Sequence, residues 1–252
     1  MSRAIILAAG KGTRLVSGRP YPKPLERVLG VSLIERIVRS LADANIRDIG
    51  IVTGHLGEVL RAEVKAMNLP AKITFFENDE YDKPNGTSLL KAADFVTGPT
   101  YLLMSDHLWS PSLIRAVSRF PLAHDAAVLG VDYNVKRCFD IDDATKVCVR
   151  GDRVVNIHKQ LMEYDCLDTG VFRITPALIE ALREHNDEHG VSLSEGVAAL
   201  AERGKMRTVS VGDAAWIDVD TPDAHAEAER LLSLYGPELQ KPRAIPAQAF
   251  AV

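Results

Sequence analysis

The sequence predicts an α/β fold built on a mostly parallel sheet. Three observations carry that reading: short apolar runs of strand length, helical spacing in the segments between them, and a glycine-rich basic loop directly after the first run. Strands that alternate with helices at this pitch imply right-handed crossovers. In such sheets the segments that follow the strands gather at one edge, where ligands bind.

Residues 4–8 read as a buried first strand. Residues 31–41 read as an amphipathic helix, with Leu33, Ile34, Ile37, Val38 and Leu41 on one face. The loop between them holds Gly10, Gly12 and Gly18, which let backbone N–H groups approach a ligand with no Cβ in the way. Lys11, Arg14, Arg19 and Lys23 crowd into the same loop and would repel one another unless an anion lay between them. Triphosphate is the anion that fits. The loop is not a Walker sequence, because Lys11 is followed by Gly12. It also fails the dinucleotide fingerprint at Leu15, which argues against an NAD-dependent oxidoreductase.

Next in order come a strand at 49–52, a helix at 58–67 stopped by Pro70, and a strand at 73–76. A polar connection then ends at Gly86-Thr87-Ser88 before a helix at 89–95. These residues either meet a ligand or supply a helix cap through Thr87 or Ser88. A strand at 101–104 delivers Ser105-Asp106-His107 to the ligand edge. A carboxylate there is costly unless it is paired or bound to metal, so Asp106 is a candidate ligand for a hard cation such as Mg²⁺. The equal alternative is that Asp106 caps the helix that begins near Pro111. His107 reads as structural.

After the strand at 126–131 the rhythm changes. Strands at 146–149 and 154–158 flank Arg150-Gly151-Asp152-Arg153 as a hairpin, with Lys159 just beyond it, and 165–170 leads into a strand at 171–174. This reads as the start of a lobe that receives a second substrate. Helices follow at 176–185 and 193–203, strands at 207–211 and 216–220, and a last helix at 222–234. Asp218 and Asp220 alternate with apolar residues and could share one face, although Asp220 reads first as a helix cap. Asp140, Asp142 and Asp143 lack the glycine and distal glutamate of a calcium loop and read as a solvated loop. Trp216 reads as a core or rim aromatic.

The chain has 252 residues, 46% of them hydrophobic, enough for a full core, and a net charge of −4 that gives no basic footprint for nucleic acid. No apolar run approaches the roughly 20 residues of a membrane span, and the N-terminus is too briefly apolar for a signal peptide. Cys138, Cys148 and Cys166 show no C-x-x-C spacing and read as packing residues in a reducing cytoplasm.

The loop LAAGKGTRL with PKPL resembles the signature of the sugar-phosphate nucleotidyltransferases. With NGTSLL at 85–90, SDH at 105–107, DATK at 143–146, EYDCLDTG at 163–170 and WIDVDT at 216–221, the chain is most similar to the CTP:inositol-1-phosphate cytidylyltransferases over about 4–230. The resemblance implies a Rossmann-like three-layer nucleotidyltransferase fold with a small β-rich acceptor-binding lobe. It implies one domain over 1–235, its nucleotide part about 1–132 and its acceptor part about 133–235, then a tail at 236–252. The implied reaction joins CTP to a phosphomonoester, inositol 1-phosphate first, giving CDP-inositol and pyrophosphate.

For the nucleotide the resemblance implies Leu7, Ala8, Ala9, Gly10, Lys11, Gly12, Thr13, Arg14, Lys23, Asn85, Gly86, Thr87 and Asp106. Arg14, Lys23 and Lys159 would be catalytic, with Lys159 gripping the acceptor phosphate beside Asp168, Thr169 and Gly170. Asp106 and Asp218 would hold Mg²⁺. Phosphocholine, aminoethylphosphonate or a sugar 1-phosphate are alternative acceptors, and a nucleotide-binding subunit without turnover is an alternative class. CTP over UTP, and a homodimer over a monomer, stay open. Many archaeal relatives carry a fused membrane CDP-alcohol phosphotransferase. The expectation here is a soluble stand-alone domain in the cytoplasm whose product such a membrane enzyme would use.

Overall fold

A computed structural model describes residues 2–15, 20–236 and 239, so Gly18, Arg19 and most of the expected tail lie outside the described residues. The first half alternates strands and helices. β1 (Arg3–Ala8) is followed by a short hairpin of β2 (Arg27–Val28) and β3 (Val31–Ser32), then α1 (Leu33–Asp43), β4 (Asp48–Thr53), α2 (Gly57–Ala66) and β5 (Lys72–Glu77). Next come α3 (Asn85–Lys91), β6 (Thr100–Met104), β7 (His107–Trp109), α4 (Pro111–Arg119) and β8 (Ala127–Asp132). The second half holds β9 (Lys146–Arg150), β10 (Arg153–His158), β11 (Cys166–Ile174), α5 (Pro176–His185), α6 (Leu193–Glu202), β12 (Met206–Ser210), β13 (Trp216–Asp218) and α7 (Pro222–Tyr235).

Among the described residues one nine-stranded sheet runs in the order β5-β4-β1-β6-β11-β8-β12-β10-β9. Its first four strands are mutually parallel. β11 then enters antiparallel between β6 and β8. β12 runs parallel to β8, and the β9–β10 hairpin adds beyond it. β9 also returns to β11 through Val147 opposite Cys166 and Lys146 opposite Leu167. Strands β8, β12, β10, β9 and β11 therefore close a ring.

β1 shows why the parallel half reads as continuous apolar runs. Ile5 and Leu7 enter one core with α3, α5 and α6, while Ala4, Ile6 and Ala8 enter the other with α1, α2 and α4. A strand covered by helices on both faces has no polar side. A smaller core sets Ala228 and Leu232 of α7 against Leu108 and Ile217. Among the described residues no helix is long and apolar enough to cross a membrane.

Three boundaries differ from expectation. Val31 and Ser32 do not start α1. They pair with β2, and the Ser32 hydroxyl caps the helix by accepting the Glu35 N–H at 3.3 Å. α3 begins at Asn85 rather than 89, after Pro84, and neither Thr87 nor Ser88 caps it. β11 begins at Cys166 rather than 171, because its first residues are needed to meet β9.

Gly86 lies where α3 crosses the segment before α6. A Cβ on it would sit 2.6 Å from the Val191 carbonyl oxygen and 2.8 Å from the Ser192 carbonyl carbon. Both are backbone atoms that cannot swing aside. Gly86→Ala should therefore destabilise the fold by about 1–3 kcal/mol in urea unfolding, whereas Gly98→Ala, with nothing within 4 Å of its Cβ position, should stay within about 0.5 kcal/mol.

Candidate active site

The site lies where the sheet forks. Along one edge β11 pairs first with β9, at Cys166 and Leu167, and then with β6, from Val171 onward. Asp168, Thr169 and Gly170 span the gap, and the register against β8 shifts there. Gly170 has φ +73°, and a Cβ on it would lie 2.6 Å from the His107 ring. Glycine answers both demands. Its N–H donates to Asp168 Oδ1 at 2.7 Å, which turns that carboxylate into the opening.

The opening is a cavity of about 1030 Å³. Leu7, Ala9, Gly10, Gly12, Thr13 and Arg14 line it from the end of β1 and its loop, together with Lys23 and Asn85. Asp106, Lys159, Asp168, Gly170 and Asp218 line it from the other strands. Five residues expected at the site face elsewhere. Ala8 is in the core, and Lys11 pairs with Asp82. Gly86 packs on Val191, and the Thr87 hydroxyl accepts the Val191 N–H at 3.2 Å. The Thr169 hydroxyl donates to the Gly130 carbonyl at 2.7 Å. Asn85 divides its role, since Oδ1 accepts the Leu193 N–H at 2.9 Å.

Asp106 and Asp218 are brought together by the small β7–β13 ribbon, which sets Asp218 opposite His107. The Val219 N–H donates to the Asp106 carbonyl at 2.9 Å and fixes the same crossing. Asp106 does not cap α4, a position held by Ser110. Its Oδ2 accepts from Lys23 Nζ at 2.8 Å, and its Oδ1 lies 2.8 Å from His107 Nδ1. Burial pushes the Asp106 carboxyl up, but Lys23 and His107 outweigh it and hold the group well below the usual carboxylate range. His107 stacks on Trp216 at 6.3 Å, and the Trp216 indole N–H donates to the buried Asp132 at 2.9 Å.

A chain of alternating charge runs from this point across the cavity. Lys23, whose side chain is only 7% exposed, pairs with Asp106 and with Asp220. Asp220 also pairs with Arg14. Arg14 meets Asp143 at 3.0 Å, and Asp143 meets Lys159 at 2.8 Å. Two readings change accordingly. Asp220 is no helix cap, because the Thr221 hydroxyl accepts the Ala224 N–H and caps α7. Asp143 is not merely solvated. Neither role had a signal in local sequence beyond membership of the WIDVDT and DATK strings.

Residues 4–232 match the family model described as the MobA-like NTP transferase domain. The chain belongs to that family. It is 38% identical to a bifunctional IPC transferase and DIPP synthase of Rubrobacter xylanophilus, over 87% of this chain and 49% of that protein. A protein of the same description from Thermococcus kodakarensis is 36% identical over 91% of this chain and 50% of its own. The chain thus spans about half the length of these curated relatives. Among solved structures, the inositol-1-phosphate CTP transferase from T. maritima superposes with a TM-score of 0.82 at 27% identity, covering 92% of this chain and 95% of that one.

NTP transferase chemistry calls for a divalent cation, and the residues fit one. Oδ1 of Asp218 is buried and accepts no hydrogen bond. Burial raises that carboxyl above its ordinary value. An oxygen in this condition is satisfied by a hard cation, and carboxylate oxygens of Asp106 and Asp218 lie within 4.8 Å of one another.

Burial alone would lower the His107 pKa, but Asp218 and Asp106 reverse this and raise it from 6.5 to about 9. A raised folded-state value means that His107 adds stability in full below pH 6.5, and that this is lost as pH climbs through about 9. In urea titrations, His107→Gln should lower stability at pH 6 and flatten its decline between pH 6.5 and 9.

Proposed function

We propose that this NTP transferase domain moves a cytidylyl group from CTP to a phosphomonoester, inositol 1-phosphate first, yielding CDP-inositol and pyrophosphate. The observation that carries the reading is the charge chain. One cavity holds three cations, Arg14, Lys23 and Lys159, with the carboxylate pair Asp106 and Asp218 for a divalent cation, and Asp168 lines the same cavity near His107. The likeness to the T. maritima transferase supports the choice of nucleotide and acceptor.

An oxygen of the acceptor phosphate attacks the α-phosphorus of CTP. The bond from that phosphorus to the bridging oxygen breaks, and the electron pair leaves with pyrophosphate. Two anions must meet, so the work is positioning and neutralisation. Arg14 grips the β- and γ-phosphates. Lys23 follows the α-phosphate as charge grows there, and Lys159 holds the acceptor phosphate. Lys11 reaches the triphosphate only by leaving Asp82. The backbone of Ala9 and Gly10, with Asn85 across the cavity, frames the base. Asp106 and Asp218 would hold Mg²⁺, which supplies further neutralisation of the triphosphate. Asp168 accepts hydrogen bonds from acceptor hydroxyls. Burial lifts its pKa to about 6, against hydrogen bonding from Gly170 and the charge of His107, so it is an acceptor at neutral pH.

The reading also assigns one transferase domain to 1–235, with its nucleotide part up to about 132 and its acceptor part beyond. Free Cys138, Cys148 and Cys166 suit a reducing cytoplasm. A membrane CDP-alcohol phosphotransferase is the class of enzyme that would consume the product.

The test is pyrophosphate release with Mg²⁺ and CTP or UTP against inositol 1-phosphate, phosphocholine, aminoethylphosphonate and glucose 1-phosphate. Turnover is expected with CTP and inositol 1-phosphate. Turnover with another acceptor alone overturns the acceptor, and silence across the panel overturns the reaction. Lys23→Ala should slow turnover by about 10²- to 10³-fold, and near-full activity in that variant would overturn the role given to Lys23.

A further inference from the structure

Asp143 belongs to neither proposed substrate half-site, yet it touches a cation from each. Its Oδ2 meets Arg14 at 3.0 Å and its Oδ1 meets Lys159 at 2.8 Å. The fold gives this carboxylate a built support. The Ala144 N–H donates to the Asp140 carbonyl at 3.1 Å, and the Asp143 N–H donates to Asp140 Oδ1 at 3.3 Å. Lys146, only 8% exposed, directs its ammonium to the Asp142 carbonyl at 3.0 Å. From β11, the Asp168 N–H donates to the Thr145 carbonyl at 2.9 Å.

The β9–β10 hairpin explains the juxtaposition. Its last rung pairs Lys146 with His158. Asp143 and Lys159 therefore emerge side by side from its open end, and Arg14 reaches across from the loop after β1. An isolated exposed ion pair contributes about 0–1 kcal/mol and would need no such support. A carboxylate shared between two cations from different elements fixes their separation, and an oxygen of this one lies within 4.8 Å of carboxylate oxygens of Asp218 and Asp220.

We propose that Asp143 is a positioning residue that sets the spacing between Arg14 and Lys159, and that it competes with phosphate oxygens for both. The inference rests on the transferase reading for its account of turnover, but not for its account of anion binding. A carboxylate oxygen and a phosphate oxygen offer these cations the same contact. An incoming polyphosphate must therefore displace Asp143 from Arg14, from Lys159 or from both. Removing the charge frees both cations and loses the alignment.

The experiment uses inorganic tripolyphosphate as the probe, measured by calorimetry on the full chain, alongside steady-state turnover. Asp143→Asn should bind tripolyphosphate about threefold or more tightly than the unaltered protein, while kcat falls by about tenfold. Asp143→Glu keeps the charge but displaces it by one methylene. It should return tripolyphosphate affinity to the starting value and leave kcat low. Tripolyphosphate affinity unchanged in Asp143→Asn overturns the proposal, as does a fall in affinity that tracks a lowered melting temperature. Because the probe contains neither nucleotide nor acceptor, a silent substrate panel would sink the transferase reading and leave this binding test standing.

Discussion

Lys23 is the constraint on which the site depends. Its side chain is nearly buried, and its ammonium stands between Asp106 and Asp220. A lysine in that position is tolerated because carboxylates meet it, and the lysine in turn compensates those carboxylates together with His107 at Asp106 and Arg14 at Asp220. The loop after β1 is shaped around it. Gly12, at φ +60°, leaves the space that the Lys23 stem fills, and the turn at Lys23–Leu25 is started by Pro22 and held by Pro24. From this contact the charge chain continues through Asp220, Arg14 and Asp143 to Lys159, so the placing of those side chains is referred back to one buried ammonium.

The scaffold contributes its irregularities at the same place. The parallel half supplies two strand ends, those of β1 and β6, that any α/β sheet would supply. What makes a site of them is the fork at β11, where Gly170 tucks over His107, and the β7–β13 ribbon that carries Asp218 to Asp106. Both depart from regular pairing. Irregular backbone at the mouth of a cavity re-aims side chains that a continuous strand would send into the core.

The order of the main-sheet strands and of the helices is legible because period and length are clear, whereas the short β2, β3 and β7 are too brief to show a pattern. The pattern predicts α5 to the residue at 176–185, while β11 begins five positions before its apolar run suggests. The family signature also singles out Arg14, Lys23, Lys159, Asp106 and Asp218, which the fold gathers around one cavity. Sequence did not reveal what each charged group faces, since the partners of Arg14 are Asp143 and Asp220, which only folding brings near. Local rules also mislead: Asp220 precedes a helix and reads as its cap, and Thr87 reads as a cap of α3, whereas its hydroxyl meets the Val191 N–H. Capping and packing use the same small polar residues as binding, so position along the chain could not separate them. The closure of β9 onto β11 was likewise hidden, because pairing between distant strands leaves no periodic trace.

That closure bears on how the chain acquires its structure. The β9–β10 hairpin and the helices are local and form on microsecond timescales. The ring cannot shut until β11 has arrived between β6 and β8, and β12 has crossed from beyond α6 to lie beside β8. These are long-range pairings whose loop-closure entropy is lost before most of their contacts are gained. The cavity is framed by β11 itself, so it has no walls until the long-range pairings of that strand are made.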